Sequence, residues 1–233
     1  KDSFNDKLTF NKMLAAHYRA IDGKRKKRDA LLFEEDLETN ISNLINKLKD
    51  ETYKLGKYRE FTIYEPKERI IKSLPYKDRV VHQWYVKEFI KPYYIPRFII
   101  DTYACIDGRG THSCALNCQI KMQNMNHLYG SNYYIIKGDI KKFFYSINKD
   151  ILFNIIKQSF KDKRLLNLTK LFIYDNDEKK GIPIGNYTSQ FFANIYLNEL
   201  DQFVKNKLKI KYYLRYMDDF CMLLPTKDDC IKV

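Results

Sequence analysis

The sequence predicts an α+β fold in which antiparallel sheet is packed with helices, and three observations carry that prediction. Lys209 to Pro225 holds two apolar, aromatic-rich runs around the short acidic centre Asp218-Asp219, the pattern of a β-hairpin. Tyr58 to Tyr64 and Arg69 to Leu74 read as a second strand pair, joined by Glu65-Pro66-Lys67-Glu68. Leu37, Ile41, Leu44, Ile45 and Leu48 recur at helical spacing, so roughly 33–50 forms an amphipathic helix whose apolar stripe is core.

The remaining elements follow in order. Residues 3–21 form a helix capped near Ser3 or Asn5 and ended by Asp22-Gly23. Lys24-Arg25-Lys26-Lys27-Arg28 is a dense basic run, either a solvated surface or a contact for a phosphate backbone. Asp78 to Phe89 suits a helix ended before Pro92, with Trp84 in the core. Tyr103 to His112 is a loop in which Gly108 and Gly110 bracket Arg109, and a helix follows over about 113–127. A helix N-terminus after such a loop favours an anion.

Tyr133 to Ile140 reads as a buried-type strand carrying a carboxylate, Asp139, at its end. Helices over roughly 148–160 and 163–173 come next, then the polar loop Asp175 to Lys180 and a turn at 181–186. Thr188 or Ser189 caps a further helix to about Lys207, with Phe192, Ile195, Tyr196 and Leu200 facing the core. No internal repeat or low-complexity linker interrupts the chain.

Composition narrows the partners. The chain has 233 residues, enough to bury a sizeable core, and 45% of them are hydrophobic, which excludes a disordered chain. Lys and Arg number 42 against 29 Asp and Glu, a net charge of +13 that favours a polyanion. Nucleic acid fits better than a membrane, because no basic amphipathic helix stands out and no run is long enough to span a bilayer. Several of the 19 tyrosines lie beside Lys or Arg, a mixture suited to stacking on bases while tracking phosphates. Five irregularly spaced cysteines argue against a disulfide framework and for a reducing compartment, the cytoplasm. His112, Cys114 and Cys118 lack the paired spacing of a zinc site. No signal peptide opens the chain, and its first residue is Lys1, which predicts a start inside a longer protein.

Chemistry concentrates at three acids. Asp139 ends one strand and Asp218-Asp219 lie at a hairpin tip; if those strands are neighbours in one sheet, the carboxylates meet on its edge. Paired Asp between strands is also ordinary turn chemistry. Clustered carboxylates suit Mg²⁺, a hard cation that keeps waters and accepts substrate phosphates. Two such ions ~3.5–4 Å apart would clamp the attacking and leaving oxygens of an in-line phosphoryl displacement.

Tyr216-Met217-Asp218-Asp219 resembles the catalytic box of reverse transcriptases. Asp139 through Phe144 resembles their first palm motif, an Asp with an aromatic residue five positions on, and Gly185 to Asn194 resembles their second. The order and spacing agree, and the resemblance runs from about Phe33 to the C-terminus. It implies a right-hand polymerase with N-terminal helices and fingers over 1–130, a first palm helix near 78–92, and palm over 131–233. The chain stops soon after Asp219, where the family continues into an α-helical thumb, so no thumb is expected in this chain.

The resemblance further implies RNA-directed DNA polymerase activity with two Mg²⁺ ions, or Mn²⁺ in their place. Asp139 and Asp218 would be metal ligands, the Ile140 carbonyl would assist, and Asp219 would be the second acid of the box. Phe144 would exclude a ribose 2′-hydroxyl, unless it or Phe143 is simply core. Lys67 and Arg69 would grip the triphosphate, and Gly185 and Gln190 would lie against the nascent base pair. Arg79, Arg109, Asn186 and Ser189 would contact nucleic acid. The implied partners are an RNA template, a DNA or RNA primer and dNTPs. Ile184-Gly185-x-x-x-Ser189-Gln190, Arg79-Val80-Val81-His82 and Tyr103-Ala104-Cys105 resemble the enzymes of diversity-generating retroelements, which work with a small basic accessory protein. Group II intron, retron and defence-type enzymes, RNA-templated RNA synthesis, and an RNA-binding body without chemistry stay open at this point.

Overall fold

The computed structural model describes residues 3–23, 25, 27–65 and 68–233. In chain order the elements are α1 (Phe4–Lys7), α2 (Phe10–Ile21), α3 (Arg28–Glu34), α4 (Leu37–Lys49), β1 (Arg59–Ile63), β2 (Arg69–Ser73), α5 (Tyr76–Tyr85), α6 (Lys91–Tyr94), α7 (Thr111–Tyr129), β3 (Tyr134–Asp139), α8 (Phe143–Ser146), α9 (Lys149–Ser159), α10 (Lys163–Ile173), α11 (Tyr187–Gln202), β4 (Tyr212–Tyr216), β5 (Asp219–Leu224) and α12 (Lys227–Lys232). Helices and antiparallel sheet mix as expected. Two compact units emerge, one from the residues up to Tyr93 with Phe144–Phe192, the other from Tyr94–Phe143 with Ala193–Val233. Among the described residues no helix is long and apolar enough to cross a membrane.

In the first unit α2 packs on α5, and Ile41, Leu44, Ile45 and Leu48 of α4 are buried as the periodicity requires. The helix expected over 3–21 is broken at Leu8-Thr9. The Thr9 hydroxyl caps α2 by accepting from Lys12 N–H at 3.4 Å, while Trp84 Nε1–H donates to the Lys7 carbonyl at 2.8 Å and satisfies the end of α1. A local cap and a distant indole together outcompete continuity. Trp84 itself is fully buried against Phe4 and Phe89.

The helix expected to stop before Pro92 continues through it. A π-turn over Val86–Ile90 joins α5 to α6, with Lys91 N–H bonded to the Val86 carbonyl. Widening the ladder there accommodates a residue with no N–H to give. Neither Thr188 nor Ser189 caps α11: the helix starts at Tyr187, and both residues are buried in its first turn. The Thr188 hydroxyl is instead bonded to His82 Nδ1 at 2.9 Å.

The polar loop after α10 is fastened by a buried cation. Lys149 Nζ donates to Asp175 Oδ1 at 2.9 Å and to Asn176 Oδ1 at 2.6 Å. The chain then runs back beside α8, where Ile182 N–H donates to the Phe144 carbonyl at 2.9 Å.

In the second unit β3, β5 and β4 form an antiparallel sheet in that order. Val204, Ile210, Tyr213, Met222 and Leu224 build the core beneath it. The outer edge of β4 is covered by Asp101–Tyr103, because Arg215 N–H donates to the Asp101 carbonyl at 2.9 Å and Tyr103 N–H to the Arg215 carbonyl at 3.1 Å. β3 was expected to be buried and is not: Tyr134 and Ile135 are each 45% exposed. Its pairing with β5 is on one side only, so an apolar strand sequence here marks an edge.

Gly138 faces Phe220 across the β3–β5 ladder, and the Phe220 ring occupies the space a Cβ at Gly138 would need. Gly138→Ala should therefore lower unfolding free energy by about 1–3 kcal/mol. Chemical denaturation checks it, and adding Phe220→Leu should restore most of the loss; an unchanged midpoint for Gly138→Ala would refute the contact.

Burial drives the His82 imidazole down to about 3. In the unfolded chain it titrates near ~6.5, so between that pH and about 3 the unfolded state binds a proton that the folded state refuses. Stability present above the unfolded pKa is thus lost as pH falls, at up to about 1.4 kcal/mol per pH unit. Urea unfolding between about pH 7 and about pH 4 should show a shallower slope for His82→Asn than for the parent chain. Equal slopes would remove His82 as the cause.

Candidate active site

The second unit carries the acidic cluster. The β3–β5 register sets Asp139 opposite Asp219, and the β4–β5 register sets Tyr216 opposite Asp219, leaving Met217 and Asp218 as the turn. Met217 adopts φ +55°, a left-handed conformation that folds the turn tightly. Carboxylate oxygens of Asp139, Asp218 and Asp219 lie within 4.8 Å of one another, and among the described residues this is the one group of three or more acids, histidines or cysteines so arranged. Asp139 and Asp219 are exposed and Asp218 is half-buried.

Like charges directly opposite on a sheet repel, so the cluster is costly unless a cation compensates it. The donor set is all carboxylate oxygen, which fits Mg²⁺ or Mn²⁺ and not a soft metal. Ile140 follows Asp139 immediately beyond the strand and is half-buried. Burial and the neighbouring Cys118 push the Cys221 thiol near this sheet up to about 11, and burial also raises Cys114.

Sequence reasoning missed a buried polar network under the turn. Arg215 is fully buried and pairs with the equally buried Asp201, Nε to Oδ1 at 2.7 Å and Nη2 to Oδ2 at 2.6 Å. Tyr213 donates its hydroxyl to Asp201 Oδ1 at 2.7 Å, and Thr102 donates to Oδ2 at 2.9 Å. Burial, with Asp201 next, holds the Tyr213 hydroxyl far above the usual phenol range. One signal was available: Arg215 sits in an apolar strand on the same face as Tyr213, which demands a buried partner.

Arg109 was expected at nucleic acid. Its Nη1 donates to the carbonyls of Ile99 and Thr102, each at 3.1 Å, so it closes its own loop.

The first unit holds the other residues singled out from the sequence. Arg79, Gly185 and Asn186 line one cleft of about 630 Å³ together with Lys57, Arg59 and His82. Arg79 is fixed by the Leu74 carbonyl and the Ser73 hydroxyl. Asn186 donates to the Tyr58 hydroxyl at 2.7 Å, and burial raises that phenol well above its ordinary value. Gly185 takes φ +119°, and a Cβ there would stand 2.7 Å from the Lys72 carbonyl oxygen. The loop is pinned to β2 by Lys72 N–H donating to the Ile184 carbonyl at 2.8 Å. Only glycine meets both demands.

Ser189 is buried and Gln190 exposed. Arg69 is exposed on β2 opposite Ile63, and Lys67 lies outside the described residues. Of the adjacent aromatics Phe143 is core, whereas Phe144 is half-buried.

The reverse transcriptase (RNA-dependent DNA polymerase) family profile matches residues 57–233. The group II intron-encoded protein LtrA of Lactococcus lactis subsp. cremoris is 26% identical over 186 residues, covering 75% of this chain and 30% of LtrA. The retron Ec73 reverse transcriptase of Escherichia coli is 31% identical over 135 residues, covering 50% of this chain and 42% of the retron enzyme. The chain therefore spans less than half the length of these relatives. In fold it is similar to a chain of the partial Cas6-RT-Cas1-Cas2 complex, with TM-score 0.55, 19% identity, and coverage of 95% of this chain and 38% of that one. It is also similar to telomerase from Candida albicans, solved in complex with a fragment of telomeric RNA, with TM-score 0.54, 12% identity, and coverage of 79% and 40%. The acidic hairpin and the profile match across most of the chain point the same way, and the chain belongs to the reverse transcriptase family.

Proposed function

We propose that this chain carries the catalytic centre of an RNA-directed DNA polymerase, which extends a DNA or RNA primer with dNTPs on an RNA template. The observation that carries the reading is the meeting of Asp139, Asp218 and Asp219 at one end of the β3–β5–β4 sheet. Asp139 and Asp218, with the Ile140 carbonyl, are the residues to hold divalent metal, and Asp219 is the second acid of the hairpin. Two bound Mg²⁺ ions, or Mn²⁺, would supply charge stabilisation to the attacking 3′-oxygen and the departing pyrophosphate.

The protein's own groups then bind and orient. Lys67 and Arg69 meet the triphosphate, and Phe144 presents its ring to the sugar and rejects a 2′-hydroxyl. Gly185 and Gln190 lie against the nascent pair; Arg79, Arg109, Asn186 and Ser189 contact nucleic acid, with Arg109 acting through the loop it closes. The helices and strands up to about residue 130 serve as fingers and the remainder as palm. The net charge of +13 supports a nucleic-acid partner, and the free cysteines support the reducing cytoplasm as its compartment.

Within the family we read the diversity-generating type, because Ile184-Gly185-x-x-x-Ser189-Gln190, Arg79-Val80-Val81-His82 and Tyr103-Ala104-Cys105 resemble the corresponding stretches of those enzymes. A small basic accessory protein is part of that reading.

Primer extension on an RNA template with Mg²⁺ tests both levels. Extension should require dNTPs, and Asp218→Asn should reduce it at least ~100-fold, a barrier increase of about 2.7 kcal/mol. Phe144→Ala should raise rNTP use relative to dNTP use at least ~10-fold, about 1.4 kcal/mol of lost discrimination. Sequenced products should show errors concentrated opposite template adenines; accurate products would replace the diversity-generating reading with a group II or retron type. Salt-sensitive RNA binding without extension, untouched by Asp218→Asn, would reduce the chain to a binding body.

A further inference from the structure

Arg215 makes more contacts than an ion pair needs. Its guanidinium has five N–H donors, and all five have acceptors. Two meet Asp201 in a fork, as described above, and a third reaches Thr102 Oγ1 at 3.4 Å from Nη2. The last two leave Nη1, one to Asn194 Oδ1 at 3.0 Å and one to the Met217 carbonyl at 2.7 Å. Asn194 is itself anchored, its Nδ2 donating to the Ala104 carbonyl at 2.8 Å.

The Met217 carbonyl belongs to the peptide that leads into Asp218, and Met217 is the residue held at φ +55°. A left-handed methionine persists only where its surroundings over-determine it. Here the constraint is a planar, fully buried cation whose position is set by the carboxylate of Asp201 behind it. We infer that Arg215 is a positioning residue: braced on Asp201 and Asn194, it fixes the turn that presents Asp218 and Asp219 through the Met217 carbonyl. The inference builds on the metal-binding reading of those acids but concerns the turn itself.

A lysine cannot replace this function. Its ammonium can neutralise Asp201, yet it has three donors on one point and no fork to span carboxylate, amide and carbonyl together. Arg215→Lys thus separates charge from positioning. The companion change, Asp201→Leu with Arg215→Met, removes the buried pair as a whole, a replacement that commonly preserves folding.

The test follows hydrogen exchange by mass spectrometry in the peptide spanning Tyr216 to Asp219, with terbium luminescence reporting cation binding and primer extension reporting turnover. In both variants the turn amides should exchange at least ~10-fold faster while the β3–β5 ladder stays protected. Terbium affinity should fall ~10-fold, and kcat should drop at least ~30-fold with KM for dNTP within about threefold. Unchanged exchange at the turn in Arg215→Lys overturns the inference, whether or not the double variant folds. Faster exchange with terbium affinity kept within about twofold also overturns it, because the turn would then be loosened without consequence for the acids. If the parent chain binds no terbium, the metal reading of the cluster fails, and the exchange experiment alone decides the role of Arg215.

Discussion

The antiparallel pairing of β3 with β5 is the constraint on which the acidic site depends. It sets Asp139 directly opposite Asp219, so the like charges approach each other by register. Strand side chains alternate between faces, and a slip of one residue would carry Asp139 to the other side. The lock against such a slip sits one pair away, where Gly138 lies beneath the Phe220 ring and leaves no room for another residue. The buried side chains Tyr213, Met222 and Leu224 hold the sheet on its core from the opposite end of the same strands. Repulsion among three carboxylates is thus opposed by packing and ladder bonds.

Both units use buried polar groups to tie a loop to a rigid element. In the second, Arg215 and Asp201 bind the hairpin turn to α11 and to the Thr102 segment. In the first, His82 on α5 bonds Thr188 at the start of α11, and Asn186 bonds Tyr58 beside β1. Lys149 does the same for the loop after α10. Burying such groups is expensive, and the hydrogen bonds they make inside the protein hold their loops in one arrangement. Two of the loops so fixed, the hairpin turn and the segment around Asn186, lie in stretches that resemble the family's sequence motifs.

The family relationship and the geometry constrain different things. The profile match over residues 57–233 establishes ancestry, while relatives such as LtrA are more than twice as long as the stretch they share with this chain. Similarity of fold to the structure holding Cas6 and Cas1 and to telomerase extends over most of the chain at 19% and 12% identity, so little beyond backbone arrangement is carried by it. Side-chain detail must therefore be read from this chain's own residues: the Ile184-Gly185 loop against Lys72, the bonds of Arg109 within its loop, the bonds of Arg215 to the hairpin turn.

By itself the sequence determined those features that depend on near neighbours. The α4 stripe, the bounds of α9 and α10, both hairpins and the acidic centre at Asp218-Asp219 all follow from periodicity, capping and turn chemistry within a few residues. That Asp139 would join Asp218 and Asp219 was legible only as a condition, since it required two strands far apart in the chain to be neighbours. Tertiary structure alone decided the rest. The break at Leu8-Thr9 depends on Trp84, the exposure of β3 on its lack of a second neighbour, and the inward roles of Arg109 and Arg215 on carbonyls and a carboxylate brought from elsewhere. The physical reason is common to all of them: whether a polar group faces water or is buried is set by the partners that meet it, and those partners are assembled by the fold.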